Sequence, residues 1–260
     1  VCYPPAGLVP LELFGPKHAW SVHADPRGFP QADPALLSGE GRRIGGDTPK
    51  SYLPIAGRPL VLRTLDRMFS APSVETVVLV VAAGEMARCE SMLRSDAALK
   101  NRRWLLQAGG ATRRQSAKRG LERIGSDTGV VVIHDGARPF VSAGLIGRCV
   151  EAAVEKQAVV VGLPVRDTIK AVSPEHWVQA TRERSTLWEI QTPQAFERNL
   201  IVAAHEQAER DGAEVTDDAM VVERTGAPVY VLEGERTNFK ITVPEDLWLA
   251  EMLIREGRVS

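Results

Sequence analysis

The stretch from Ser38 to Lys50, SGEGRRIGGDTPK, combines four glycines with basic residues. Glycines let a backbone come close to anionic oxygens and present its N–H groups to them. Arg43 and Lys50 could neutralise the negative charge that develops when a phosphoryl group is attacked. Because Lys50 follows Pro49 rather than a glycine, the stretch is not a P-loop. It predicts a polyphosphate-binding loop, with a solvated glycine-rich surface loop as the alternative.

A second glycine-rich stretch, GGATRRQS, runs from Gly109 to Ser116 and leads into a predicted helix. The free N–H groups at a helix N-terminus, together with a hydroxyl group, can bind the groups of a nucleotide. The stretch is therefore a candidate nucleotide site, and an ordinary capped helix is the alternative.

Asp135 directly follows the apolar run VVVIH, which predicts a buried strand. In an open α/β sheet, ligands gather at the carboxyl ends of the strands. A carboxylate at that position could hold Mg²⁺ against nucleotide phosphates. The alternative is a local ion pair between Asp135 and Arg138. His134 has no partner cluster of metal ligands, so we expect it to be structural.

Asp167 to Arg184 interrupts the alternation of strands and helices. Two strand-like pieces, DTIKAV and WVQAT, flank a turn-favouring SPEH, which predicts a projecting β-hairpin. Its basic and hydroxyl groups could bind a phosphate monoester, although solvated charge is the alternative. Later in the chain, Lys240 interrupts a strand-like TNFKIT, and its charge requires a partner. Thr216 to Asp218 predicts a helix start whose acidic residues suit the helix dipole and have no catalytic role.

The remaining pattern predicts an α/β fold with a mainly parallel sheet flanked by helices. Near-continuous apolar runs predict buried strands over Thr76–Ala82, Val130–His134 and Ala158–Leu163. Helices are predicted over Leu60–Phe69, Gln115–Ile124, Phe196–Arg210 and Glu245–Arg255. One more is predicted to begin after an N-cap at Ser142 and to bury Ile146, Cys149, Val150, Ala153 and Val154. The first 35 residues show no period and are assigned to no element.

The bulk properties exclude several classes of protein. Among the 260 residues, 32 Lys and Arg balance 33 Asp and Glu, so no overall positive field attracts nucleic acid or an acidic membrane. The three cysteines are far apart, which argues against a disulfide framework or a zinc site. No apolar run approaches the ~20 residues of a membrane span, and no secretory signal is evident. We expect a soluble, cytoplasmic protein with no nucleic-acid or membrane partner.

In their order and spacing, these motifs resemble the 2-C-methyl-D-erythritol 4-phosphate cytidylyltransferase family. The stretches that carry the resemblance are SGEGRRIGGDTPK, GGATRRQS, HDGARPF, PVRDTIK, RERSTLW, QTPQAF, TDD and NFKITVPEDL. The resemblance implies a Rossmann-like nucleotidyltransferase fold over residues 38–260, preceded by an atypical segment over residues 1–37. It also implies Mg²⁺ or another divalent cation, and a homodimer in which an arm at about residues 166–186 reaches the partner's active site. The substrates would be CTP and methylerythritol phosphate, in the synthesis of isoprenoid precursors.

The resemblance assigns roles to individual residues. The implied catalytic set is Arg43, Lys50, Arg184 and Lys240, of which the first two stabilise the transition state at the α-phosphate of CTP. The implied nucleotide-binding set is Ser38, Gly39, Gly41, Gly110, Ser116 and Asp135, and Asp135 is also the metal ligand. Thr168, Arg184 and Lys240 would hold the methylerythritol phosphate for attack.

The chain departs from the family just before the first glycine loop. Leu36-Leu37-Ser38-Gly39 stands where members have an apolar strand ending in Pro-Ala-Ala-Gly, so the first core strand is unrecognisable. A side chain as large as that of Leu37 could obstruct the nucleotide. Two alternatives therefore stay open: a ribitol-5-phosphate cytidylyltransferase, which shares the fold and much of the loop chemistry, and a non-catalytic nucleotide-binding homologue.

Overall fold

The apolar β-branched runs form strands, and the amphipathic stretches between them form helices. The computed structural model of the chain describes residues 49–259 and the backbone of residues 35–38. Its strands are β1 (Ala35–Ser38), β2 (Pro54–Ile55), β3 (Arg58–Pro59), β4 (Thr76–Val81), β5 (Arg103–Ala108), β6 (Val130–Asp135), β7 (Ala158–Pro164), β8 (Lys170–Val172), β9 (Val178–Thr181), β10 (Trp188–Glu197) and β11 (Tyr230–Glu233). Its α-helices are α1 (Leu60–Ser70), α2 (Met86–Ser95), α3 (Arg113–Leu121), α4 (Ala143–Lys156), α5 (Arg198–Arg210), α6 (Asp218–Glu223) and α7 (Pro244–Arg255).

Seven strands form one sheet in the order β11, β7, β10, β6, β1, β4 and β5. Only β10 runs antiparallel to its neighbours in this sheet, so the mainly parallel sheet predicted from the sequence is confirmed. β8 and β9 pair antiparallel outside the sheet, with Lys170 opposite Thr181. They form the predicted projecting hairpin.

The first core strand, which the sequence did not reveal, lies at the centre of the sheet. β1 pairs in parallel with β6, so that Ser38 is opposite Asp135, and on its other edge with β4. The sheet therefore begins inside the segment 1–37 that the sequence left unassigned. Four residues without a β-branched side chain, Ala-Leu-Leu-Ser, give little strand signal, and pairing on both edges supplies what local propensity lacks.

The central strands are buried on both faces, and their alternate side chains divide the core in two. Val77 and Leu79 of β4 pack in the cluster that contains α1, α2 and α4. Val78 and Val80 of the same strand pack in the cluster that contains α3, α5 and α6. This alternation follows from the two-residue period of a strand, and it explains why the runs are apolar at every position.

Three helical predictions need correction. The helix predicted over Gln115–Ile124 begins and ends earlier, because Thr112 caps it and α3 covers Arg113–Leu121. In α4, Val154 is 43% exposed, and the buried face extends instead to Leu145. At 100° per residue, Val154 lies too far around the helix from the centre of that face. α5 begins at Arg198, because Phe196 belongs to β10. The polar and proline residues in the middle of β10 hide this strand from a search for apolar runs.

A smaller apolar cluster fixes the chain at the carboxyl edge of the sheet. Ile55, Leu60, Phe140, Ile241 and Ala250 are buried in this cluster, which joins α7 to the loop after β6. The segment around Lys240, predicted as strand-like, is a loop that runs beside this cluster. None of the helices in the described part of the chain is long and apolar enough to span a bilayer.

Candidate active site

A cavity of about 720 Å³ opens at the carboxyl ends of β4, β5 and β6. Its lining includes five of the residues singled out from the sequence: Lys50, Gly110, Ser116, Asp135 and Lys240. Val80, Val81, Gly109, Thr112, Arg113, Thr216 and Thr242 are also among its lining residues. The chain thus brings together, in one place, residues that are far apart in the sequence, from Lys50 to Thr242.

The glycine loop before α3 is closed by its own hydrogen bonds. Ser116 Oγ accepts from the N–H of Gly110 at 3.1 Å and donates to the carbonyl of Thr112 at 2.9 Å. Thr112 caps α3, since its hydroxyl accepts from the N–H of Gln115. A Cβ atom at residue 110 would lie 2.3 Å from Cβ of Gln115, so only glycine fits. The capped helix that was the alternative is therefore present, and the glycine loop that leads into it lines the cavity.

Asp135 is the last residue of β6, and its carboxylate is paired with two cations. Its Oδ2 lies 3.1 Å from Lys240 Nζ and 3.2 Å from Arg138 Nε. Burial would raise the pKa of Asp135, but Lys240 and Arg138 outweigh it, and the net pKa is lowered. Lys240 thus has the partner that its charge requires, and the local pair with Arg138 is also present. The other oxygen, Oδ1, accepts no hydrogen bond from the described residues.

Lys50 begins a short 3₁₀ turn and lies against the wall of the cavity, only 7% exposed. Its charge acts on Asp246, in the first turn of α7. Burial raises the pKa of Asp246, but hydrogen bonds from Val243 and Thr242, together with the charge of Lys50, lower it overall. Two lysines, Lys50 and Lys240, therefore add positive charge to one cavity.

Arg113 is a third cation of the cavity, and sequence reasoning did not single it out. Its Nη2 lies 2.5 Å from Oδ2 of Asp218, whose side chain is fully buried and also accepts from His205 at 3.2 Å. Burial raises the pKa of Asp218, but the bonds to His205 and Arg113 lower it overall. The helix predicted to begin at Thr216–Asp218 is present, and Asp217 rather than Asp218 caps it. Asp218 instead serves as the anchor of Arg113. The doublet Arg113-Arg114 after a glycine pair was the available signal.

His134 is buried and hydrogen-bonded, as expected for a structural residue. Its Nε2 lies 3.1 Å from the carbonyl of Arg138, and its Nδ1 lies 3.0 Å from Thr192 Oγ1. Burial lowers the pKa of His134 to about 4, so the ring is neutral at pH 7. Because a carbonyl only accepts, Nε2 carries the proton and Nδ1 is the acceptor.

The other predicted site residues lie outside this cavity or outside the described residues. Thr168 and Arg184 are exposed on the arm, where Arg184 Nη1 donates to the carbonyl of Arg166 at 2.8 Å. Of the nucleotide-binding set, Ser38 is described only by its backbone in β1. Residues Gly39, Gly41 and Arg43 fall outside the described residues.

Comparison with known proteins identifies the family of the chain that forms this cavity. Residues 34–256 match the family described as IspD: 2-C-methyl-D-erythritol 4-phosphate cytidylyltransferase. The chain belongs to this family. Its members are nucleotidyltransferases, and the match begins one residue before β1, so the short central strand is part of the family's common region.

Individual members of the cytidylyltransferase family are similar over most of their length. The 2-C-methyl-D-erythritol 4-phosphate cytidylyltransferase of Symbiobacterium thermophilum is 39% identical over 236 residues, which covers 91% of this chain and 98% of that protein. The crystal structure of the enzyme of the same name from Thermus thermophilus aligns with a TM-score of 0.71 at 38% identity, covering 85% of this chain and 98% of that one. The 4-diphosphocytidyl-2C-methyl-D-erythritol synthase of Anaerococcus prevotii aligns with a TM-score of 0.75 at 27% identity, covering 86% and 96%. The predicted Rossmann-like nucleotidyltransferase fold is thereby confirmed.

The burial of His134 predicts a dependence of stability on pH. The unfolded chain binds a proton on this ring near pH 6.5, and the folded chain binds it only near pH 4. Between these values the unfolded state holds more protons, so acidification should lower the free energy of unfolding by up to roughly 3 kcal/mol. Urea unfolding followed by circular dichroism between pH 7 and pH 4 measures this. The His134→Gln variant should have a lower free energy of unfolding at pH 7 than the unchanged protein, but that free energy should fall less between pH 7 and pH 4. Equal falls in the two proteins would contradict the lowered pKa of His134.

The pair between Arg113 and Asp218 predicts a coupling between two substitutions. Arg113→Met should lower the free energy of unfolding by about 1–3 kcal/mol, because it leaves the charged, fully buried Asp218 with His205 as its remaining donor. Adding Asp218→Asn removes that charge and should recover a large part of the loss. The check is a double-mutant cycle by urea unfolding, in which simple additivity of the two losses would be the contrary result.

Proposed function

We propose that this chain transfers a cytidylyl group from CTP to 2-C-methyl-D-erythritol 4-phosphate, giving 4-diphosphocytidyl-2-C-methyl-D-erythritol and pyrophosphate. The observation that carries the proposal is the placing of Lys50, Lys240 and Asp135 on one cavity, in a chain of this family. Two cations and a glycine loop suit a triphosphate. The names of the relatives favour methylerythritol phosphate over ribitol phosphate as the acceptor.

The reaction needs no covalent intermediate with the protein. A phosphate oxygen of the acceptor forms a bond to the α-phosphorus of CTP, and the bond from that phosphorus to pyrophosphate breaks in line. Lys50, together with Arg43, stabilises the charge that develops on the α-phosphate, while Lys240 holds the acceptor's phosphate. Catalysis is then mainly positioning and electrostatic stabilisation.

Mg²⁺ is the metal that this proposal includes, and the residues present fit it. Mg²⁺ is usually held by one or two carboxylates together with substrate phosphates and water, not by a protein cage. No group of three or more His, Cys, Asp or Glu side chains in residues 49–259 forms such a cage. Asp135 lines the cavity, and the contacts that its carboxylate makes with Lys240 and Arg138 are both to Oδ2. When bound there, the metal would supply positive charge to the phosphates.

The proposal includes a homodimer in which the arm over residues 166–186 completes the partner's site. Thr168 and Arg184 lie on this arm and do not line the cavity of their own chain. The arm also exposes apolar side chains: Trp177 is 77% exposed, Val178 60% and Val172 49%. Exposed apolar groups next to one another are typical of a surface that another chain covers.

The proposal also includes a cytoplasmic location. The free, buried Cys89 and Cys149 support a reducing compartment.

Lys50→Ala is the direct test of the catalytic role. Removing this charge should lower kcat at least ~100-fold, as the loss of one preorganised electrostatic donor does elsewhere. Pyrophosphate release from CTP, Mg²⁺ and methylerythritol phosphate measures the change. Lys100→Ala, at an exposed lysine that does not line the cavity, is the matched control and should leave kcat unchanged. Near-normal turnover of the Lys50 variant would remove Lys50 from its assigned role.

The same assay separates the proposed function from its alternatives. Turnover with ribitol 5-phosphate alone would identify the other cytidylyltransferase activity. CTP binding by calorimetry without pyrophosphate release at saturating acceptor would identify a non-catalytic homologue.

The arm gives a separate prediction about the assembly. Trp177→Ser should raise the dimer dissociation constant, because the interface would lose the apolar area that the indole at the hairpin turn buries against the partner. Sedimentation velocity over a range of protein concentrations measures the monomer fraction. Trp248→Ser removes an indole of similar exposure (65%) from α7 and is the matched control. Equal effects of the two substitutions, or none, would count against the arm as the interface.

A further inference from the structure

Thr192 lies at an interruption of the backbone ladder beside the cavity. The pairing between β6 and β10 ends at Ile133 and Gln194, one residue before His134. The register between β10 and β7 shifts between Gln191 and Gln194, so Thr192 falls within the irregular stretch. Here a side chain replaces a backbone partner: the N–H of Asp135 donates to Thr192 Oγ1 at 2.9 Å.

The hydroxyl of Thr192 has one possible arrangement of hydrogen bonds. Nε2 of His134 donates to the carbonyl of Arg138, so Nδ1 of the neutral ring is an acceptor. The hydroxyl proton of Thr192 therefore goes to Nδ1, at 3.0 Å, and its oxygen takes the N–H of Asp135. Thr192 is 6% exposed and His134 1%, so water does not compete for these bonds.

The chain of bonds returns to the Asp135 carboxylate through Arg138 and Asn238. Arg138 donates from Nε to Asp135 Oδ2 at 3.2 Å and from Nη1 to the carbonyl of Asn238 at 2.9 Å. Asn238, which is fully buried, donates its amide to the carbonyl of Thr192 at 2.7 Å. Two residues later, Lys240 pairs with the same Oδ2 of Asp135. These hydrogen bonds form a closed network. Thr192 takes part in it twice, through its hydroxyl to Asp135 and His134 and through its carbonyl to Asn238.

We propose that Thr192 is a positioning residue of the active site: its hydroxyl, between the N–H of Asp135 and the ring of His134, fixes the carboxylate and its partner Lys240 for the nucleotide and the acceptor. Thr192 does not line the cavity, so it acts through these two residues rather than by touching a substrate. This inference rests on the proposed function for its kinetic readout, and the binding of CTP tests it separately.

The test compares three substitutions at Thr192 with a remote one. Thr192→Val keeps the shape and removes the hydroxyl, and Thr192→Ser keeps the hydroxyl. Thr225→Val is a remote control at an exposed threonine, because it removes a hydroxyl bond of 2.7 Å to the carbonyl of Val222, away from the cavity. Kinetic constants for both substrates, CTP affinity by calorimetry and melting temperature are measured for each. Thr192→Cys, with a weaker donor of similar size, replaces Thr192→Val if that variant does not fold.

Thr192→Val should lower kcat by about 10-fold or more, the range seen when the partner of a directly acting group is removed. Thr192→Ser should stay within about threefold of the unchanged protein. Thr225→Val should lower the melting temperature without changing kcat. The proposal is overturned if Thr192→Val, or Thr192→Cys in its place, keeps kcat and CTP affinity within about twofold while losing stability as the control does.

A failure of the proposed function is distinguishable from a failure of this inference. If the unchanged protein binds CTP but releases no pyrophosphate, the proposed function is wrong, and CTP affinity alone decides the role of Thr192. A dissociation constant raised about 10-fold in Thr192→Val, with rescue by Thr192→Ser, then supports the positioning role. An unchanged constant overturns it.

Discussion

The ion pairs of Asp135 impose the constraint on which the site depends. A carboxylate at the end of a buried strand is costly unless cations and donors surround it. Lys240 and Arg138 supply the charge, and both bind the same oxygen. To bring them there, the chain has to place the loop before α7 against the loop after β6, and the small apolar cluster around Ile241 and Phe140 does so.

Other cations of the cavity also have carboxylates near them. Arg113 carries its own buried counterion, Asp218, at the start of α6, so this cation is fixed from the side of the sheet opposite α1 and α4. Lys50 is fixed from the side of α1 and α7. The cations therefore approach the cavity from different elements, and an anionic ligand between them would meet charge from several directions.

The sequence predicted the parts of this site whose signals are local. Asp135 follows an apolar strand, and a ligand site at the carboxyl end of a strand is a general property of such sheets. Lys240 was conspicuous as a charge in a strand-like segment. Thr192 lies in QTPQAF, one of the stretches that carry the family resemblance, but its bond to Asp135 could not be found from the sequence, because the two residues are 57 positions apart. The Arg113-Arg114 doublet was visible in the sequence, but the pairing of Arg113 with Asp218 was not, since the two residues are 105 positions apart.

The position of β1 has a consequence for synthesis of the chain. Among the described residues this strand comes first, yet its two neighbours in the sheet are β4 and β6, and β6 ends at Asp135. During translation, which proceeds from the N-terminus, β1 cannot complete its pairing until the residues of β6, up to Asp135, have left the ribosome. Until then, β1 has an unpaired edge, the kind of surface that a nascent-chain chaperone covers.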